Sequence, residues 1–357
     1  MLRKLEALRG VAAVMVVLYH SNFYVWEGGV PLVKNSWLFV DFFFVLSGYV
    51  MCLAYREKIR NQVSFGIYIG LRLFRLFPLH AVVLLAWLPI IGAKLWYFNA
   101  GYGGVDPSIT ENTSTFFVTF FLLNSLGLEG GWNPASWSIS AELVAYTVFF
   151  FVVRVSGFRA LPRVALFIAA LFYAIGFSYK GPFSPYTWDF GFLRSIPAFF
   201  LGVWVYHLKA DFLSVARPDL AEMATLILIA LSISMVSTNI YFAYVAVICF
   251  VISIRVFSQH ESGILGRLLE SKPMLLIGKY SYSIYMVHML VLVCSEDILE
   301  HILGISPSEV SGFQAFLLNL GMLIVIFVCS KMTYNYVELV GNKWGRDRLV
   351  EYKKPFA

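Results

Sequence analysis

Apolar residues run along this chain in long blocks divided by short polar stretches, and the length of those blocks decides the reading. A helix rising 1.5 Å per residue needs roughly 20 mostly apolar residues to cross a hydrocarbon core. Ten blocks meet that length, near 5–25, 36–55, 74–98, 136–154, 163–179, 192–209, 221–237, 240–257, 279–299 and 313–337. The predicted fold class is therefore all-α, a polytopic integral membrane protein of about ten transmembrane helices. A further apolar run near 115–127 is too short to cross comfortably and is predicted to be re-entrant or interfacial. Pro89 and Pro197 fall inside blocks and are expected to kink them. With no repeat or linker visible, residues 1–340 read as a single transmembrane domain and 341–357 as a short basic cytoplasmic tail.

Composition narrows the picture further. Of 357 residues 59% are hydrophobic and 13% charged, about half the charged share of a soluble domain. No sizeable soluble domain fits beside ten spans, so the chemistry must belong to the helices and their ends. The opening run, basic residues followed by VAAVMVVLYH, has no small-residue cleavage site behind it and reads as a retained first helix. Cys52, Cys249, Cys294 and Cys329 lie in or beside apolar runs without metal-ligand spacing, so no metal is expected.

Charge orients the chain. With ten spans and the N-terminus inside, the inner loops collect Arg3, Lys4, Arg9, Arg56, Lys58, Arg60, Arg72, Arg75, Arg154, Arg159, Arg163 and Lys209, and the tail adds Lys343, Arg346, Arg348, Lys353 and Lys354. The outer side keeps Lys34, Lys94, Lys180 and Arg194, the bias of the positive-inside rule. Counting 115–127 as a span would place Arg154, Arg159 and Arg163 outside. Both termini are thus expected in the cytoplasm, with the protein in the cell inner membrane. The net charge of +6 reads as cytoplasmic loops beside anionic membrane lipid and calls for no nucleic-acid partner.

Ionisable residues inside spans are costly and mark candidate function. His20 ends the first block, Asp41 begins the second and Glu142 lies just inside the fourth, so alternating helix direction puts all three at one outer level. A histidine beside a carboxylate is what general-base catalysis requires. Arg9 and His20 are eleven residues apart, close to three turns, which places them on one helix face roughly 16 Å apart. An elongated ligand with an anionic head spans such a gap, and the pantetheine arm of coenzyme A with its phosphates fits. Arg72 and Arg75, at the inner end of the third block, would add phosphate donors. Ser281, Tyr285 and His288 share a face near mid-membrane and read as a polar seam lining a cavity. Ordinary readings stand beside these: positive-inside anchors for the arginines, an interfacial histidine at 20, a structural clasp for the two carboxylates, and close packing for Ser47 and Gly48.

Five blocks, LRGVAAVMVVLYH, VDFFFVLSGYV, RLFRLFPLH, SWSISAELVAY and GKYSYSIYMVHML, occur in this order between residue 3 and about 340. Together they resemble the acyltransferase 3 family of bacterial membrane-bound O-acyltransferases. The resemblance implies a ten-helix core that transfers an acyl group, usually acetyl from acetyl-CoA, to a hydroxyl of a glycan, a lipid-linked glycan or another acceptor. It matches Arg9 and His20 to the family's arginine–histidine motif, Asp41 to its acidic position, and Trp137, Ser138, Ser140 and Glu142 to its tryptophan–serine–acid block. Ala141 departs from the pattern, and Glu338 is kept without a following proline.

The expected mechanism has acyl-CoA entering from the cytoplasm, its phosphates near Arg9, Arg72 and Arg75. His20, oriented by Asp41 or Glu142, then deprotonates the acceptor hydroxyl. Glu142 is favoured because Ser138, one turn earlier, can hold it. Trp137, Ser138 and Ser140, with Ser47, Tyr285 and His288, are assigned to substrate binding or the developing oxyanion. Direct transfer and an acyl-histidine intermediate both remain open. The rival class is a proton-coupled secondary transporter using the same His, Asp and Glu as a relay, although no inverted repeat is visible. A topology reporter fused after Glu111 is expected to read as extracytoplasmic and one after Phe158 as cytoplasmic; a cytoplasmic signal at 111 would overturn the ten-span orientation.

Overall fold

The computed structural model describes residues 2–21, 29–157, 159–183, 186–208, 217–259, 262–306 and 309–350. Phe158, Lys209, Lys353 and Lys354 lie outside the described residues. The chain is helical throughout: α1 (Leu2–His20), α2 (Pro31–Lys34), α3 (Phe39–Asn61), α4 (Phe65–Asn99), α5 (Thr113–Phe120), α6 (Ser136–Val155) and α7 (Leu161–Lys180). It continues with α8 (Phe192–Tyr206), α9 (Pro218–Met235), α10 (Phe242–Phe257), α11 (Ile264–Leu269), α12 (Lys272–Asp297), α13 (Gly312–Thr333) and α14 (Leu339–Val350).

Among the described residues, α3, α4, α6, α7, α9, α12 and α13 are long and apolar enough to cross a membrane, and α8 and α10 are shorter apolar helices. With α1 they correspond one to one with the ten apolar blocks. The bundle turns large apolar side chains outward, such as Leu85, Phe167, Leu231 and Phe316. Lipid, unlike water, accepts such a surface.

Helix α4 is longer than its apolar block and passes through both Pro78 and Pro89 unbroken; α8 likewise continues through Pro197. Proline is tolerated within membrane helices more readily than within soluble ones. The short run folds as predicted. Helix α5 has eight residues, about 12 Å of rise, capped by Asn112 and Thr115. The turn after it is tied to α6: Ser140 Oγ donates to the Leu122 carbonyl at 2.6 Å, and Asn124 Nδ2 donates to Ser136 Oγ at 2.7 Å. Residues 341–350 continue helically as α14, with Gly341 and Gly345 against Pro78 and Phe74 of α4, while 351–357 lie outside the described residues.

Two backbone contacts set the helix packing. Helix α1 lies along α12, and a Cβ at Gly10 or Gly278 would overlap the other helix's backbone. The two run parallel, since Arg9 meets Gly278 and Ser281 while His20 meets His288. Gly48 of α3 and Gly202 of α8 make a second such contact, against the Phe199 and Val45 carbonyls, again between parallel helices, since Asp41 meets Arg194 while Tyr49 meets Tyr206. Small residues serve here because lipid supplies little hydrophobic drive between helices, and association depends on close approach. Gly278→Leu is expected to destabilise the detergent-solubilised protein by about 3 kcal/mol in thermal unfolding, as overpacking does. Gly66→Ala, a position open for 4 Å around, is expected to change nothing.

Candidate active site

A cavity of about 340 Å³ opens between α1, α3, α4, α6 and α12. One part is apolar, walled by Val40, Phe43, Phe44, Leu46 and Ile139; the other presents Glu6, Arg9, Ser47, Arg75, Ser138, Glu142, Tyr146, Ser281, Tyr282 and Tyr285. Arg9 donates from Nε to Ser281 Oγ at 2.7 Å and from Nη2 to the Gly278 carbonyl at 3.2 Å. Arg75 reaches the cavity wall from α4. Among the described residues, neither guanidinium forms an ion pair. Glu142 instead accepts hydrogen bonds from Ser47 Oγ and from Tyr146 OH, the latter at 2.5 Å. Glu338 accepts from Ser283 Oγ at 2.9 Å, within electrostatic reach of Arg75. Two guanidiniums that face one cavity with no carboxylate hydrogen-bonded to them can hold an anionic group.

His20 does not line this cavity, and neither Asp41 nor Glu142 hydrogen-bonds it. Its Nδ1 lies 3.0 Å from the Val16 carbonyl and 3.3 Å from Nε2 of His288 on α12. The rings of His20 and His288 are 5.1 Å apart at their centroids. Tyr285 lines the cavity, accepts a 2.8 Å hydrogen bond from Ser138 Oγ, and packs its ring 5.6 Å from that of His288. It stands between the cavity and the histidine pair.

The expectation that a carboxylate orients His20 is therefore corrected. Asp41 is fully buried and held by Arg194 of α8, whose Nε lies 3.0 Å from both carboxylate oxygens and whose Nη2 lies 2.6 Å from Oδ2. Arg194 Nη2 also donates to the Trp37 carbonyl, and its guanidinium lies over the rings of Trp37 and Trp137. Paired so completely, Asp41 has no lone pair directed at an imidazole.

Three other sequence assignments move as well. Trp137 covers Arg194 and does not face the cavity, and Ser140 clasps the turn after α5. Arg72 donates to Tyr55 OH at 2.6 Å, lies over that ring, and is absent from the cavity wall. Of the twelve residues assigned from sequence, the cavity brings together Arg9, Ser47, Arg75, Ser138, Glu142 and Tyr285. Tyr146 was missed although it stands one turn after Glu142. Arg194 was visible only as an exception to the cytoplasmic bias of the cations.

The sequence profile of a family described as an acyltransferase domain matches residues 2–334. The chain belongs to this acyltransferase family. The chain is also similar to protein 2 in the picA locus of Rhizobium radiobacter, with 37% identity over 81 residues, 22% of this chain. The chain covers 40% of the length of that relative. No solved structure matches.

In this acyltransferase Asp41→Ala leaves the Arg194 charge buried without a partner, and a loss of about 3–5 kcal/mol in thermal unfolding is expected. The double variant Asp41→Leu/Arg194→Met removes both charges and is expected to recover most of that stability. If Asp41→Ala unfolds like the wild type but loses turnover, the structural role is wrong.

Proposed function

We propose that this acyltransferase moves an acyl group, acetyl foremost, from acyl-CoA to a hydroxyl of a glycan or lipid-linked glycan at the outer face of the inner membrane. The observation that supports this most is the cavity whose two guanidiniums have no carboxylate hydrogen-bonded to them and whose Tyr285 wall backs onto a histidine pair. With both termini in the cytoplasm, Arg9 and Arg75 receive the donor's phosphates from the inner side. Arg72, bound to Tyr55, stays outside the cavity and contributes less. Glu142, secured by Ser47 and Tyr146, offsets the arginine charge while the donor is absent.

The acyl-pantetheine arm then runs along the apolar part of the cavity toward Tyr285. When this side chain moves aside, the thioester reaches His20. His20 takes the acceptor's hydroxyl proton at Nε2 as the oxygen attacks the thioester carbon. The C–S bond breaks, and the departing thiolate collects the proton to leave as CoA thiol. Transfer through an acyl-histidine uses the same atoms in two steps. Enclosing the thioester away from water until an acceptor arrives limits its hydrolysis.

Purified protein in nanodiscs, given acetyl-CoA and the envelope fraction of its source cell as acceptor, tests this reading through CoA release. His20→Ala is expected to lower turnover by about 10²–10⁴-fold with donor binding retained, since a general base acts on the transition state. Arg75→Ala is expected to raise the apparent donor constant more than Arg72→Ala, because phosphate contacts made equally in ground and transition states act on affinity. Near-normal turnover by His20→Ala, or stronger donor loss in Arg72→Ala, overturns the assignment.

A further inference from the structure

We propose that His288 is the positioning residue for His20, presenting Nε2 as the acceptor that holds the His20 ring with its own Nε2 free. The inference rests on reading His20 as the base. A backbone carbonyl only accepts, so hydrogen-bond partners assign both tautomers. Nδ1 of His288 lies 2.5 Å from the Tyr285 carbonyl and must carry the proton, which leaves Nε2 with its lone pair. Nδ1 of His20 lies 3.0 Å from the Val16 carbonyl and carries a proton too. The 3.3 Å approach between the rings thus sets the same His20 Nδ1–H, shared with the Val16 carbonyl, against an acceptor, His288 Nε2. His20 Nε2 has no hydrogen bond among the described residues and is not among the sealed polar atoms.

Register supports the same assignment. His20 stands ten residues beyond Gly10, and His288 ten residues beyond Gly278. On two parallel helices in backbone contact at those glycines, equal spacing brings the two rings level. His288 is wholly buried, where an apolar side chain would pack at less cost. Once His20 Nε2 takes the acceptor's proton, the ring becomes an imidazolium. Its Nδ1–H then keeps an acceptor in His288 Nε2 through the reaction. A neutral ring performs the orienting task that a carboxylate performs in other catalytic groupings.

The first test is spectroscopic and needs no substrate. In protein labelled with ¹⁵N-histidine, His288 Nε2 is expected to resonate as an unprotonated nitrogen and His20 Nδ1 as a protonated one. A protonated His288 Nε2 overturns the proposal. The second test reads CoA release against donor binding in a series. His288→Gln places an amide oxygen where Nε2 stood and is expected to keep turnover within about tenfold of wild type. His288→Leu and His288→Asn, which remove the acceptor or fall short of it, are expected to lose about 100-fold in turnover with unchanged donor affinity. Wild-type turnover in His288→Leu, or equal loss in the Gln and Asn variants, overturns it. If His20→Ala remains active the base assignment itself fails; if His20→Ala is inactive and His288→Leu is not, only the positioning role fails.

Discussion

The parallel contact of α1 with α12 at Gly10 and Gly278 is the constraint on which the rest of the site depends. In lipid, apolar side chains gain little by leaving their surroundings, so two helices associate where their backbones can touch and their polar groups can meet. The glycine contact permits that approach. It seats Arg9 beside Ser281 and the Gly278 carbonyl, and His20 beside His288 about a dozen residues further along. The proposed donor receptor and the proposed base are thus two consequences of one helix pair in register.

The carboxylates of the interior are then divided by what holds each of them. Asp41 is neutralised by Arg194 and closed in by Trp37 and Trp137, a clasp joining α3, α6 and α8. Glu142 accepts only hydroxyl donors and remains in the cavity with Arg9 and Arg75. In a medium that solvates charge poorly, a fully paired carboxylate is committed to its partner, whereas one held by hydroxyl groups stays electrostatically available to its surroundings. Chemically similar residues have therefore taken different tasks. Tyr285 completes the division by standing between the charged cavity and the histidine pair, latched to α6 through Ser138.

Most of the fold was legible in the sequence, because a span is defined by its own length and apolarity. Ten blocks became ten helices, and the run near 115–127 was recognised as too short before its clasp to Ser140 was known. Half of the residues assigned to the site from sequence do line the cavity. Arg9, Ser47, Glu142 and Tyr285 stand out as polar residues in apolar runs, and a polar side chain in a lipid-embedded helix must face inward.

What the sequence alone determined, then, is which segments cross the membrane and which polar residues lie within them on which face of their own helix. Those properties follow from rise per residue and from the cost of polar groups in lipid. Only the tertiary structure decided which buried groups meet. Sequence reasoning assigned His20, Asp41 and Glu142 to one level, yet His20 pairs with His288, Asp41 with Arg194, and Glu142 with Tyr146 and with Ser47, six residues further along α3 than Asp41. Depth is a coordinate along one helix, whereas partnership depends on which helices adjoin and how each is rotated about its axis, and those are set by contacts such as Gly10 with Gly278 and Gly48 with Gly202.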